Sequence, residues 1–255
     1  LGSLTLPHLL HARAENVNFV KDKSVVLLYL SGGASQIETF DPKMAAPAEI
    51  RSVNGEVSTS LSGVTFGATL QKLARRARQM SVIRSHNHSV GAHEQAHVHV
   101  LTGGTDPSGG GKTGFGMGAL YARLRGANHP ETGIPTNCLL TAPEIDGQYR
   151  KELARVRKGS RPLELGASYA PFEPGGNSSA LNNMKLTLQA QRFDDRRSLL
   201  TSLDSWKRRV DGLRQVQGVD RFNQQAVDLL TGGAVDAIDL TREDPAVLAK
   251  YDTSE

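Results

Sequence analysis

KSVVLLYL, residues 23–30, is a continuous apolar, β-branched run with charge before it and Ser31-Gly32-Gly33 after it. A run of that length and composition reads as a strand buried on both faces, the habit of parallel sheets. In open sheets of this type the ligand site lies beyond the carboxyl ends of the strands. SGGASQIETFDPK, residues 31–43, is therefore expected at the mouth of a site, with Glu38 and Asp41 as its carboxylates. Residues 44–64 are rich in Pro, Ser and Gly and read as a loop, with a small hairpin expected at Val53-Asn54-Gly55-Glu56. In ATLQKLARRARQM the apolar positions Leu70, Leu73, Ala74 and Ala77 predict an amphipathic helix. Ser81-Val82-Ile83-Arg84 then predicts a second strand and completes a βαβ unit.

Further along, GGTDPSGGGKTGFGMG is a glycine-rich segment, GALYARLRG a helix and IPTNCLLT a third strand. EIDGQYRKELARVRKGS reads as a loop or an extra helix, and the chain from Met184 to Asp252 as predominantly helical. Asp244-Pro245 predicts a helix start, because proline suits the first helical position. No internal repeat is evident. The expected fold class is α/β, with a parallel sheet at its centre and a helical C-terminal region.

The 255 residues suffice for a substantial apolar core, and 38% hydrophobic content with 26 glycines describes an ordinary folded chain with many turns. The net charge of +4 comes from Lys and Arg mixed with Asp and Glu along predicted helices, as in RFDDRRSLLTSLDSWKRRVD. That is a solvated face; aromatic and basic residues do not interleave as a nucleic-acid platform requires. The single cysteine, Cys138, excludes an intramolecular disulfide. No apolar run reaches the roughly 18 residues of a membrane span. LGSLTLPHLLHARA ends in Ala12-Arg13-Ala14, the shape of an export-leader cleavage site, so residues 1–14 are read as the remnant of a leader whose charged start lies upstream. A short N-terminal helix packed on the domain is the alternative. The domain proper is then 15–255, and the protein is expected to be periplasmic or otherwise exported.

SHNHSVGAHEQAHVHVLTGG, residues 85–104, holds five of the eight histidines and contains HEQAH, a match to the zinc-protease pattern H-E-x-x-H. On a helix His93 and His97 lie one turn apart and could share a zinc ion, with Glu94 polarising a bound water. A catalytic zinc needs a third protein ligand, and the extended pattern is absent, Val100 standing where it wants glycine. DPSGGGKTG resembles a phosphate-binding loop but has Asp106 in place of the first glycine and follows a helix end rather than a strand. The histidine cluster reads either as a partly exposed hydrogen-bonded segment or as a metal or anion site at a helix N-terminus.

LLYLSGGASQIETFDPK, RSHNHSVGAHEQAHVHVLTGG, LGASYAPFEPGG, FDDRRSLLTSLDSWKRR and FNQQAVDLLTGGAVDAIDLTREDP together resemble the exported bacterial family called domain of unknown function 1501, in order over nearly the whole chain. The resemblance implies a twin-arginine leader and membership of the alkaline phosphatase and sulfatase superfamily. Its fold would be a parallel sheet sandwiched by helices, with one or two divalent metal ions, zinc or calcium, at the strand ends. Counting back from Leu101-Thr102-Gly103 puts His93 at the sulfatase nucleophile position, with Glu94 beside it and Ser89 one turn earlier as a substitute. A histidine cannot become the formylglycine of sulfatases. The resemblance offers Asp41, or else Glu38, as a metal ligand after the first strand, together with His86 and His88. The family's remaining ligand motifs lie downstream, so this chain is expected to hold the N-terminal part of the fold, a sheet incomplete at the C-terminus and half of the site. Three functions stand open: a metal-dependent hydrolase of small-molecule or polysaccharide phosphate or sulfate esters, a non-catalytic binding or scaffold protein, and a zinc protease. Oligomeric state is not legible.

Overall fold

The computed structural model describes residues 5–15, 23–104, 114–141, 147, 150–174, 188–211 and 217–251. The chain divides into two compact units, one formed by Ser24–Gly91 and the other by Leu1–Lys23 with Ala92–Glu255.

In the 24–91 unit, strand β1 (Glu56–Ser58) pairs antiparallel with strand β2 (Thr65–Gly67), Val57 opposite Phe66. Alternation along β2 turns Phe66 inward, and it is 1% exposed against Ala74 and Ala77. Phe40 meets its ring edge to face, with centroids 5.1 Å apart. Phe40, Val57, Val64 and Leu70 complete this small core. The helix expected from Leu70, Leu73, Ala74 and Ala77 is present in pieces: helix α2 (Gln71–Ala74) lies between the 3₁₀ turns Ala68–Leu70 and Ala77–Gln79. Ser60 explains the break. Its N–H donates to the Ala74 carbonyl, while its own carbonyl and hydroxyl accept from Arg78 Nε and Arg78 N, drawing the helix's groups into contacts with the hairpin loop.

The hairpin exists but not at Asn54-Gly55. Its connection runs through residues 59–64, closed by Thr59 N donating to Val64 O at 3.0 Å. Ser52, Val53 and Asn54 instead donate to the Glu38 carboxylate, which draws that segment out of the hairpin.

The α/β architecture with a parallel sheet sandwiched by helices is corrected by the structure. The described residues are helix-rich, and their sheet is the two-stranded antiparallel pair β1-β2. KSVVLLYL forms neither helix nor ladder, and Val26 and Leu28 are 91% and 80% exposed. Ser81–Arg84 likewise joins no ladder, so no βαβ unit forms among the described residues. IPTNCLLT contributes to the isolated bridges Asn128↔Pro135 and Cys138↔Phe172 in place of a strand. The physical reason is that apolar β-branched content creates the demand for a strand, whereas a strand exists only where a neighbouring backbone supplies the ladder bonds. Among the described residues the ladder is that of β1 and β2, and residues 24–30 are not part of it.

The larger unit is built of helices: α1 (Leu6–Glu15), α3 (His93–Thr102), α4 (Met117–Arg125), α5 (Arg150–Gly159), α6 (Ala190–Asp211), α7 (Gln217–Thr231), α8 (Ala234–Ile238) and α9 (Pro245–Tyr251). Ala119 and Ala122 of α4 bury against Tyr169, over whose ring Arg123 places its guanidinium at 5.5 Å. Gln225 of α7 donates to Ser168 O, tying that helix to the same core. The expected start at Asp244-Pro245 is found: the Asp244 carboxylate accepts from Ala246 N at 2.8 Å. The phosphate-loop-like residues 105–113 lie outside the described residues. Among the described residues no helix is long and apolar enough to cross a membrane.

Candidate functional site

HEQAH opens α3, and its two ends behave differently. At the N-terminus Ala92 provides no side-chain cap, and His93 is exposed. The C-terminus is closed by Gly103 at φ +63°, the left-handed conformation that glycine adopts without steric penalty, with its N–H donating to His99 O at 2.8 Å. Thr102 Oγ1 donates to Val98 O and accepts from Gly104 N, while His99 Nδ1 lies 2.7 Å from Gly104 O. Leu-Thr-Gly-Gly is thus a helix stop with its polar groups satisfied.

The face of α3 carrying His97, Val98 and Leu101 packs on α5. Leu101 lies where a Cβ on Gly159 would stand, so only glycine at 159 permits this approach. His97 is 7% exposed and places Nε2 3.2 Å from Glu152 Oε2, and Glu152 also pairs with Arg155. Glu94 Oε1 accepts from Lys158 Nζ at 2.5 Å. That hydrogen bond and the ammonium charge hold the Glu94 carboxyl below the usual carboxylate range. Two of the three chemically active residues of HEQAH are therefore committed to α5.

Asp41, His86 and His88 lie in the 24–91 unit. Asp41 is 19% exposed, and both its oxygens face cations: Oδ2 is 2.7 Å from Lys43 Nζ, Oδ1 3.6 Å from Arg84 Nη1. Arg84 Nη2 donates onward to Thr65 O at 3.1 Å. Between Asp41 and Lys43, Pro42 is fully buried, and Lys43 takes φ +50°, a left-handed conformation that costs a side-chain-bearing residue about 1–2 kcal/mol. Glu38 accepts from Ser52 Oγ, Val53 N and Asn54 Nδ2 at 2.7–2.8 Å. Those bonds, Asn54 foremost, hold its carboxyl below the usual range. Glu38 is an organiser of the 52–54 loop. His86 and His88 lie exposed on a segment outside any helix or strand, ring centroids 6.3 Å apart, and Ser89 beside them is exposed.

A divalent ion does not fit these side chains as they stand. Among the described residues no three of His, Cys, Asp and Glu are grouped to hold a metal. The candidate carboxylates Asp41 and Glu94 are each engaged by the chain's own cations. Lys43, Arg84, Glu152 and Lys158 are the residues that sequence reasoning missed. The i, i+3, i+6 spacing of Glu152, Arg155 and Lys158 was visible, but nothing in the sequence says which helix that charged face meets. Elsewhere, Asp194, Arg197, Ser198 and Thr201 of α6 line an open groove of about 440 Å³ that none of the sequence-predicted site residues enters.

Comparison with curated proteins and with solved structures gives no match. A family model described as protein of unknown function (DUF1501) matches residues 22–255, which span the HEQAH helix, its α5 partner and the Asp41 segment. The chain belongs to the DUF1501 family.

Proposed function

We propose that this chain is a non-catalytic binding or scaffold protein in which HEQAH serves as a helix-packing element. The observation that carries the reading is the double engagement of α3 with α5, Glu94 to Lys158 and His97 to Glu152. A general base must reach a metal-bound water, and a zinc-binding imidazole needs a free ring nitrogen on the metal's side. Glu94 is instead capped by an ammonium, and His97 points Nε2 at a carboxylate within a helix interface. Export belongs to the same proposal. It is supported by the Ala12-Arg13-Ala14 pattern and by α1, which buries no residue.

A second reading, metal-assisted hydrolysis of phosphate or sulfate esters with zinc or calcium, retains one specific support: the exposed neighbouring rings of His86 and His88. Zinc titration of the intact chain, of H93A/H97A and of H86A/H88A separates the two, alongside assays with p-nitrophenyl phosphate and sulfate. The scaffold reading expects no turnover and any zinc binding to vanish only in H86A/H88A. Zinc binding lost in H93A/H97A, or metal-dependent turnover, overturns it.

A further inference from the structure

We propose that Asn54-Gly55 is a site of spontaneous modification, the conversion of Asn54 to aspartate or isoaspartate, and that Glu38 restrains it by clamping the Asn54 amide. This goes beyond the role of α3 and rests on different residues. Asn54 is exposed, and Gly55, at φ +82°, has nothing within 4 Å of the place where a Cβ would stand. Solvent reaches the pair, and no side chain on residue 55 shields its backbone nitrogen. The chemistry needs these two residues and water alone. Gly55 N, having lost its proton to hydroxide, attacks Asn54 Cγ. The N–Cγ bond forms, the Cγ–Nδ2 bond breaks and the amide nitrogen leaves as ammonia. Water then opens the cyclic imide at either carbonyl, which gives aspartate or isoaspartate.

The contacts of this segment set both the rate of the conversion and its consequence. Asn54 Nδ2 donates to Glu38 Oε2 at 2.7 Å. Ring closure needs the side chain to swing until Cγ meets Gly55 N, so it waits on the breaking of that bond. The same carboxylate accepts from Ser52 Oγ and Val53 N, while Ser52 N donates to Pro42 O and Gly55 O accepts from Ala68 N. Conversion replaces the Nδ2 donor with a charged acceptor. A carboxylate then faces Glu38 where a donor stood, and the two like charges repel. The partner removed is also the foremost of those that hold the Glu38 carboxyl low. The loop at 52–54 is thereby released, and because ammonia is lost the release runs one way.

The test is incubation of the whole chain in mildly alkaline buffer, with peptide mapping by mass spectrometry to follow conversion at residue 54. Glu38→Ala removes the clamp and is expected to speed conversion about tenfold, the factor that loss of one charge-assisted hydrogen bond allows. If E38A does not fold, the unaltered chain with and without urea makes the same comparison, conversion being faster in urea. Asn54→Asp supplies the product charge directly and should raise amide hydrogen exchange at residues 52–54, whereas Asn54→Ser, which keeps a donor and has no amide to lose, should raise it less. Conversion equally fast with the clamp present and removed, Asn54 intact throughout, or exchange at 52–54 unchanged in N54D overturns the inference. None of these results depends on what α3 does.

Discussion

Glu38 and Asp41 stand three residues apart and are both ionised acceptors, yet their partners give them different tasks. Glu38 binds neutral donors, two side chains and one backbone N–H, and so organises the loop at 52–54. Because these bonds favour the charged form, its folded-state pKa lies below the ordinary 4.5. The sign follows: the contribution to stability is complete above pH 4.5 and is lost as pH falls through the lower folded-state value. Glu38→Gln should therefore flatten the acid limb of the stability profile of the 24–91 unit, measured by urea unfolding between about pH 5 and pH 3. An unchanged acid limb would contradict the assignment. Both carboxylates were legible as special from their place after the apolar run. Their partners were not, since Ser52, Asn54 and Arg84 are brought up from 14 to 43 residues away by the fold of the unit.

At the scale of elements, α3 and α5 show why a motif can be correctly located and still misread. HEQAH does lie on a helix, and that helix does end at Leu-Thr-Gly, as periodicity and glycine placement predict. Its partner helix lies more than fifty residues downstream, and helix spacing gives no account of which charged faces meet. The crossing depends on the bare backbone at Gly159 against Leu101. Gly159→Val should force the helices apart at a cost of about 1–3 kcal/mol, read by urea unfolding, and should raise hydrogen exchange in both helices together. Exchange that rises in α5 alone would show that α3 does not rest on it. Elements that carry their own punctuation were readable, such as α9 with its Asp-Pro start. Helix α2 was readable only in part, because Ser60 breaks it from outside.

For the whole molecule, the parallel sheet was inferred from the hydrophobicity of one run, and hydrophobicity states a demand for neighbours without naming them. Val25 to Leu28 and Leu30 keep the composition of a buried strand while lying exposed. What holds the described residues together is more local: a hairpin on a broken helix around Phe66, and helix pairs joined by small residues and charge. In that arrangement the histidines of HEQAH are unequal, one buried in a helix interface and one in water. A metal centre would make them equivalent ligands whose loss has similar consequences. The most direct test is equilibrium urea unfolding of His97→Ala and His93→Ala, each with and without zinc. We predict a loss of about 2–3 kcal/mol for H97A, from the vacated volume and the lost contact with Glu152. H93A should stay within about 0.5 kcal/mol of the unaltered chain, and zinc should change neither result. Equal losses for the two variants that appear only when zinc is present would contradict the account and restore HEQAH as a metal site.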